Sequence, residues 1–282
     1  MMIDPALYAA VLERRSTRRF LAEPLVGSEC DQVRALMAQA EPLVPAVGCA
    51  SQLRTQSVDQ SLLALLGAYG RLMSPAALLG ASLADGALSL TDVGFRLEQV
   101  AVGLTAAGLG SCFVGVLSQE QRAARELGLP SGGRMGAALA IGRLPNRPLD
   151  RLVNRAIHGA AGAGSRRPLS TLFLGDDWLP TEPPAQLLPL LVAGQRAPSA
   201  VNAQPWRWSL REGRLWLLVR RHNRRYGADV RQEYRLFDAG TCLANLTLAG
   251  RALGLRLQWQ PLPPAPGDIP PELEPVASSP LS

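Results

Sequence analysis

Lysine is missing from this sequence: all 29 basic side chains are arginine. That removes Schiff-base chemistry, which needs an amine able to lose its proton, and coding bias is the simplest cause of the absence. Histidine is almost as scarce. His158 and His222 stand far apart, which argues against a histidine triad or a zinc hydrolase. Cys30, Cys49, Cys112 and Cys242 are scattered without a C-x-x-C pair, so they read as small buried residues. Charged residues make up 18% of the chain against 47% hydrophobic, the balance of a compact soluble protein. One long uncharged run, Val100 to Leu117, raises the question of a membrane. Gly103, Gly108, Gly110 and Gly115 divide it, and it reads as a buried helix followed by a strand. No membrane partner is expected. Met1 to Ser16 holds Asp4 and Glu13 in a short amphipathic run and does not read as a signal peptide, so a cytoplasmic location is expected.

At 282 residues the chain suits one large fold or two fused half-size units. Asp4 and Pro5 start a helix with Leu7, Tyr8, Val11 and Leu12 on its apolar face. Ser28 with Asp31 starts another, running to about Gln39. Glu41 to Thr55 carries no clear pattern. Pro75 leads into a buried strand at Ala76 to Ala81, and Asp92 opens a helix through Ala107. Strands at Ser111 to Val116 and Met135 to Ile141 follow, with a helix capped by Ser118 and Gln121 between them. Gly159 to Gly164 is almost wholly glycine and alanine and reads as a flexible join. Gln186 to Arg196 is helical in spacing, and Pro198 ends it. A strand at Trp206 and Trp208, the turn Arg211 to Arg214 and Leu215 to Val219 make a hairpin.

Two stretches carry candidate chemistry. The run Arg14-Arg15-Ser16-Thr17-Arg18-Arg19-Phe20 gathers four guanidinium groups and two hydroxyls, enough to grip a phosphate from several directions; its plain reading is a solvated basic helix end. The loop Ala197-Pro198-Ser199-Ala200-Val201-Asn202-Ala203-Gln204-Pro205-Trp206 can turn its serine and asparagine toward the backbone or toward a ligand. A basic band, Arg220 to Arg235, could steer a dinucleotide phosphate or simply face solvent.

The first run resembles the R-[RH]-S-x-R-x-F opening of FMN-dependent nitroreductases, and the second resembles the loop that this family lays against the flavin. The stretch A-A-G-L-G-S-C-F, then L-G-L-P, then A-L-A-I-G-x-x-P-x-R-P-L resembles the C-terminal half of a nitroreductase subunit. The resemblance implies that Arg14, Ser16 and Arg18, with Arg15 in the same run, hold the FMN phosphate and ribityl chain. It places the flavin N5 edge against the backbone of Gly115, Val116 and Leu117. Arg147, and less directly Arg143, would reach the phosphate, while Pro198, Ser199, Ala200 and Asn202 would abut the ring. No side chain is implied as a catalytic acid or base, and no metal is expected.

A weak internal repeat joins these motifs. Asp92, Gly94, Leu97, Ala106, Gly108 and Leu109 recur as Asp238, Gly240, Leu243, Ala252, Gly254 and Leu255, all at the 146-residue spacing of Asp92 from Asp238, and Gln99 falls opposite Asn245. One chain would then imitate the dimer that nitroreductases form. The expected fold is α+β, a nitroreductase-like pair of half-units with mixed or antiparallel sheets around a central helical layer. Its expected parts are a first half at 1–157, a linker at 158–168, a second half at 169–260 and a proline-rich mobile tail at 261–282. The arginine run survives only in the first half and the P-S-A-x-N loop only in the second, so one composite site is expected and the other should be dead. The resemblance implies an oxidoreductase taking hydride from NADH or NADPH onto FMN and passing electrons to a small-molecule acceptor such as a nitroaromatic or quinone. The alternative is a flavin-binding or flavin-storing protein without turnover, or a flavin-free pseudoenzyme of the same fold. No nucleic-acid partner is expected, because an aromatic stacking platform is lacking.

Overall fold

A computed structural model describes residues 4–21, 23–45, 49–55, 73–83, 86, 88–130, 135–145, 165–227, 229–264 and 266–281. Helix α1 (Pro5–Glu13) starts where the Asp4 carboxylate accepts the Leu7 N–H at 3.0 Å, with proline at its first position. Helix α2 (Gly27–Gln39) is closed differently from the Ser28 and Asp31 cap expected. The Glu29 carboxylate reaches back to the Val26 N–H at 2.8 Å.

Four strands follow, β1 (Cys49–Arg54), β2 (Ala77–Leu83), β3 (Leu109–Gly115) and β4 (Ala137–Arg143), paired antiparallel in the order β1-β2-β4-β3. The long helix α3 (Ser89–Ala106) links β2 to β3, and α4 (Glu120–Glu126) links β3 to β4. Helix α3 begins three residues ahead of Asp92, at Ser89, whose hydroxyl donates to the Gly86 carbonyl at 2.9 Å. The second half supplies α5 (Leu169–Leu172), β5 (Phe173–Leu174), α6 (Leu188–Arg196), β6 (Trp206–Arg211) and β7 (Arg214–Arg220). After these come α7 (Tyr234–Ala252), β8 (Gln260–Pro261) and β9 (Leu273–Pro280), with sheet order β5-β6-β7-β9-β8. Apart from β5, which pairs parallel to β6, this sheet repeats the first. Its order β6-β7-β9-β8 is antiparallel throughout, with its long helix again between the second and third strands.

The two long helices cross at glycine. A side chain on Gly94 would stand 2.2 Å from the Phe237 carbonyl oxygen, and one on Gly240 would stand 2.0 Å from that of Thr91. The 146-residue spacing turns the first contact into the second, so the crossing has local twofold symmetry. Its cause is steric: only residues without a Cβ let two helix backbones approach so closely. Trp206 and Trp208 are wholly buried in the core shared with α6 and α7. Helix α1 joins that same core through Ala10 and Val11, its Tyr8 hydroxyl donates to the Pro189 carbonyl at 2.8 Å, and the Asp4 N–H donates to the Ala252 carbonyl at 3.0 Å. The first element of the chain is thus bonded into the second half.

The stretch 261–282, expected to be a mobile tail, instead supplies β9, which lies between β7 and β8 with Val276, Ala277, Ser278 and Ser279 buried. Its prolines hide the strand in the sequence. Pro275 falls beside a register shift at Leu217/Leu218, and the partner strand β8 reaches only Ala277 and Ser278, so neither Pro275 nor Pro280 faces it. The glycine and alanine join at 158–168 lies outside the described residues up to Gly164. The run Val100 to Leu117 divides as expected into the end of α3 and the strand β3, and among the described residues no helix is long and apolar enough to cross a membrane.

Candidate functional site

Where α1 ends, the chain turns and lays Ser16 in a parallel bridge beside Ser111 of β3, with the Thr17 N–H donating to the Ser111 carbonyl at 2.8 Å. That turn drives Arg14 inward. It is 5% exposed, its Nε lies 3.4 Å from a carboxylate oxygen of Glu98 on α3, and its guanidinium sits 5.3 Å from the centre of the Phe113 ring. Its Nε and Nη2 are buried and form no hydrogen bond among the described residues. Ser16 and Arg18, both half-buried, approach the Cys112 thiol from the same turn, while Arg15 faces solvent. Burial pushes the Cys112 thiol up, against the pull of Arg18, Arg14 and the Ser16 hydrogen bond.

Glu98 is completely buried. Burial raises its pKa from 4.5 to about 7, with Arg14 and Arg166 opposing the rise. Arg166, in the expected linker, extends this polar cluster toward the second half. Its Nη1 donates to the Asn202 side-chain oxygen at 2.7 Å and its Nη2 to the Arg196 carbonyl at 3.1 Å. Burial, then the neighbouring charges of Arg14 and Arg196, lower its pKa to about 10. Arg14 of the first motif, paired with Glu98, and Asn202 of the second, bonded by Arg166, therefore border one buried charged cluster in which Arg166 and Glu98 are close enough to feel each other's charge. Neither connecting residue was singled out by sequence. Glu98 did leave a signal: at the repeat spacing it falls opposite Ala244, a charge present in one helix and absent from its counterpart.

The loop after α6 is held by its own surroundings. The Pro198 carbonyl accepts from the Thr241 hydroxyl at 2.8 Å, the Ser199 hydroxyl accepts the Gln204 N–H at 3.0 Å, and the Ala200 N–H donates to both oxygens of Asp238 at 3.0 and 3.1 Å. Asp238 is buried, receives the Tyr226 hydroxyl at 2.8 Å, and is pushed well above the carboxylate range by that burial. Val201, Asn202 and Gln204 all have positive φ, near 50°, a strained backbone that these bonds must maintain. The Asn202 amide donates to the Ser165 carbonyl at 2.9 Å.

The backbone segment Gly115 to Leu117 meets a side chain from the other half. The Leu117 N–H donates to the Tyr234 hydroxyl at 3.4 Å, and a side chain on Gly115 would stand 2.2 Å from that hydroxyl. Val116 is buried, with its N–H on the Gly136 carbonyl at 3.1 Å. Arg143 is not brought to this centre. It sits at the opposite end of β3, with Nε and Nη2 each 2.8 Å from a Glu29 oxygen and Nη1 3.0 Å from Glu23, and these carboxylates hold its pKa up. Arg147 lies outside the described residues. Among the described residues no three His, Cys, Asp or Glu side chains gather as a metal site.

The donors at Arg14 fit an oxyanion. Two buried guanidinium nitrogens that form no hydrogen bond among the described residues, beside a carboxylic acid that burial holds toward its neutral form, match the requirements of a phosphate oxygen. An FMN phosphate meets that donor set.

A family model described as "Putative TM nitroreductase" matches residues 6–250. Among solved structures, a putative nitroreductase from Thermotoga maritima MSB8 is similar at a TM-score of 0.60 and 19% identity, covering 97% of this chain and 92% of that one, a likeness of fold. Nitroreductase A from Vibrio parahaemolyticus RIMD 2210633 aligns at 0.43 and 19% identity, over 51% of this chain and 70% of its own. A nitroreductase with bound FMN from Desulfitobacterium hafniense DCB-2 aligns at 0.44 and 16% identity, over 52% and 92%. No curated protein sequence matches.

Proposed function

Because the chain belongs to the nitroreductase family that this model describes, we propose that it is an FMN-dependent oxidoreductase that takes hydride from NADH or NADPH and reduces a nitroaromatic, quinone or similar small acceptor. The observation that carries this reading is that Arg14 with its partner Glu98, from the first half, and Asn202 with its donor Arg166 border one buried charged cluster. When bound, the flavin supplies the hydride and electron transfer. Arg14 would offer its unaccepted donors to the phosphate, with Ser16 and Arg18 on the same turn, and Glu98 would keep a proton near that anion. The strained loop from Pro198 to Asn202 would lie against the ring, and its fixed backbone would exclude water. The N–H groups of Gly115 to Leu117 would face the reacting edge.

A single chain standing for a dimer is supported by the repeated strand order and by the twofold glycine crossing. One live site is supported by the pairing of Glu98 with Ala244. We further propose a monomer located in the cytoplasm, with neither membrane nor nucleic-acid partners.

Tyr234 favours a second reading. Its hydroxyl already occupies the Leu117 N–H and the space beside Gly115, as it would in a flavin-free relative. The visible spectrum of the purified protein, before and after FMN addition and desalting, separates the two. The proposal expects a retained band near about 450 nm that NADH or NADPH bleaches without oxygen. It also expects Arg18→Ala and Asn202→Ala each to weaken FMN binding about tenfold, the loss of one charge-assisted or buried hydrogen bond. A protein that stays colourless after loading is the flavin-free one.

A further inference from the structure

A second concentration of positive charge lies in the half without the arginine run. The end of β7 and the turn after it set Arg220, His222, Arg224 and Arg225 around an open cavity of about 440 Å³, completed by Arg167 and Asn223. Arg207 stands behind them. It is opposite Leu218 in the β6–β7 pair, so its side chain shares the sheet face of Arg220, two residues further on. It is 4% exposed, and its hydrogen bonds go to the carbonyls of Trp206 and Gln204 rather than to a carboxylate. Burial, with Arg220 and Arg167 close by, lowers its pKa to about 9, and burial and the neighbouring arginines lower that of Arg167 as well.

None of these five arginines forms an ion pair among the described residues. Glu274 is bound instead by Arg221 and Arg235. The turn is also fixed rather than loose. The Gln232 amide brackets the Asn223 backbone at 3.0 and 3.1 Å, the Asn223 side-chain oxygen accepts the Arg225 N–H at 3.0 Å, and the Arg225 guanidinium donates to the Asn202 carbonyl at 2.8 Å. A solvated basic surface spreads its cations apart. Here a rigid turn sets them over a buried guanidinium with no carboxylate paired to them among the described residues, an arrangement that an anion from solution would stabilise.

We propose that this cavity binds the phosphomonoester dianion of a small ligand, at a site separate from Arg14. Planar guanidinium forks match phosphate oxygens in pairs, and the volume lies within the ordinary range of small-molecule sites. None of the six lining residues is Phe, Tyr or Trp, which disfavours a stacked nucleic-acid strand. The phosphate has two possible sources, a free phosphorylated metabolite or the 2′-phosphate of NADPH; the second source rests on the proposed oxidoreductase function, the site itself does not.

The test is calorimetric titration of the full chain at low salt with 2′-AMP, inorganic phosphate and adenosine. Wild type is compared with the Arg220→Gln/Arg224→Gln double variant, and Arg224→Gln alone serves if the pair melts early. Both positions are exposed. The expected result is binding of 2′-AMP that phosphate competes away, that adenosine does not reproduce, and that falls at least about tenfold in the variant, the loss of a charge-assisted contact. Absence of heat with 2′-AMP and phosphate, or equal affinity in the variant, overturns the site. The NADPH to NADH ratio of kcat/KM then names the source. A ratio that drops with the variant assigns the dinucleotide, and an unchanged ratio beside lost 2′-AMP binding assigns a separate metabolite. Because the heats need no turnover, failure of the oxidoreductase reading leaves the binding result standing.

Discussion

The two halves share a frame and divide its chemistry. Each has four antiparallel strands in one order, a long helix in the same connection, and a buried aspartate near the start of that helix that holds the loop entering its own sheet. Asp92 accepts the N–H groups of Leu43 and Val44 at 2.6 and 3.0 Å, while Asp238 accepts that of Ala200. The differences lie in what surrounds this frame. Asp92 is neutralised by Arg96 at 2.6 Å, whereas Asp238 is bonded by the Tyr226 hydroxyl instead. Glu98 is opposed by Ala244, and the arginine cavity after β7 has no basic counterpart at the end of β2, where the chain reads Ser-Leu-Ala-Asp-Gly. A duplicated frame is thus kept where backbones must pack, and its copies diverge at the side chains around the two candidate sites.

The glycine crossing is the strongest element common to both halves, so its loss should cost most. Gly240→Ala is expected to destabilise the protein by about 3 kcal/mol, because the added carbon meets helix backbone that cannot rotate away. Gly94→Ala should cost a similar amount, and the double variant less than the sum, since either change already separates the same two helices. Denaturant unfolding measures all three. A neutral Gly240→Ala would break the twofold comparison.

Glu98 tests the asymmetry. Its folded pKa of about 7 exceeds the ordinary 4.5, so the native state keeps a proton that the unfolded chain releases. The stabilisation is full below about pH 4.5 and is lost as pH rises through about 7. Relative to Glu98→Gln, wild type should lose up to about 3 kcal/mol over that window. Unfolding free energies measured from pH 4 to 8 check the slope. Parallel curves for wild type and variant would remove the buried acid from the site. The smallest effect is expected at the surface pair Arg251 and Glu41, which joins the end of α7 to the end of α2 with both side chains about half exposed. Glu41→Gln should change stability by no more than about 0.5 kcal/mol, and less in salt, by the same unfolding assay.

Much of the frame could be read from local pattern. The proline-led start of α1, the hairpin β6–β7 with its alternating tryptophans, and the stop of α6 before Pro198 each depend on neighbours a few residues away. Strand β1 was not legible, because Glu41 to Thr55 offers little alternation and its pairing with β2 is decided by distant residues. Strand β9 was hidden by prolines that only the pairing with β7 and β8 makes harmless. At the candidate site, Arg14 and Asn202 announced themselves as members of motifs. Arg143 did too, but two glutamates from before and within α2 claim its guanidinium.

By itself the sequence determined the family resemblance, the repeat that places Asp92 and Gly94 opposite Asp238 and Gly240, and the two motifs, because each is a pattern of residue types at short or constant spacing. Tertiary structure alone decided that Glu98 and Arg166 lie between those motifs, that Tyr234 covers the backbone at Leu117, and that four arginines line one cavity with Arg207 buried behind them. Those contacts depend on how elements far apart in the chain cross and on what burial does to a charge, and neither is written in any single stretch of residues.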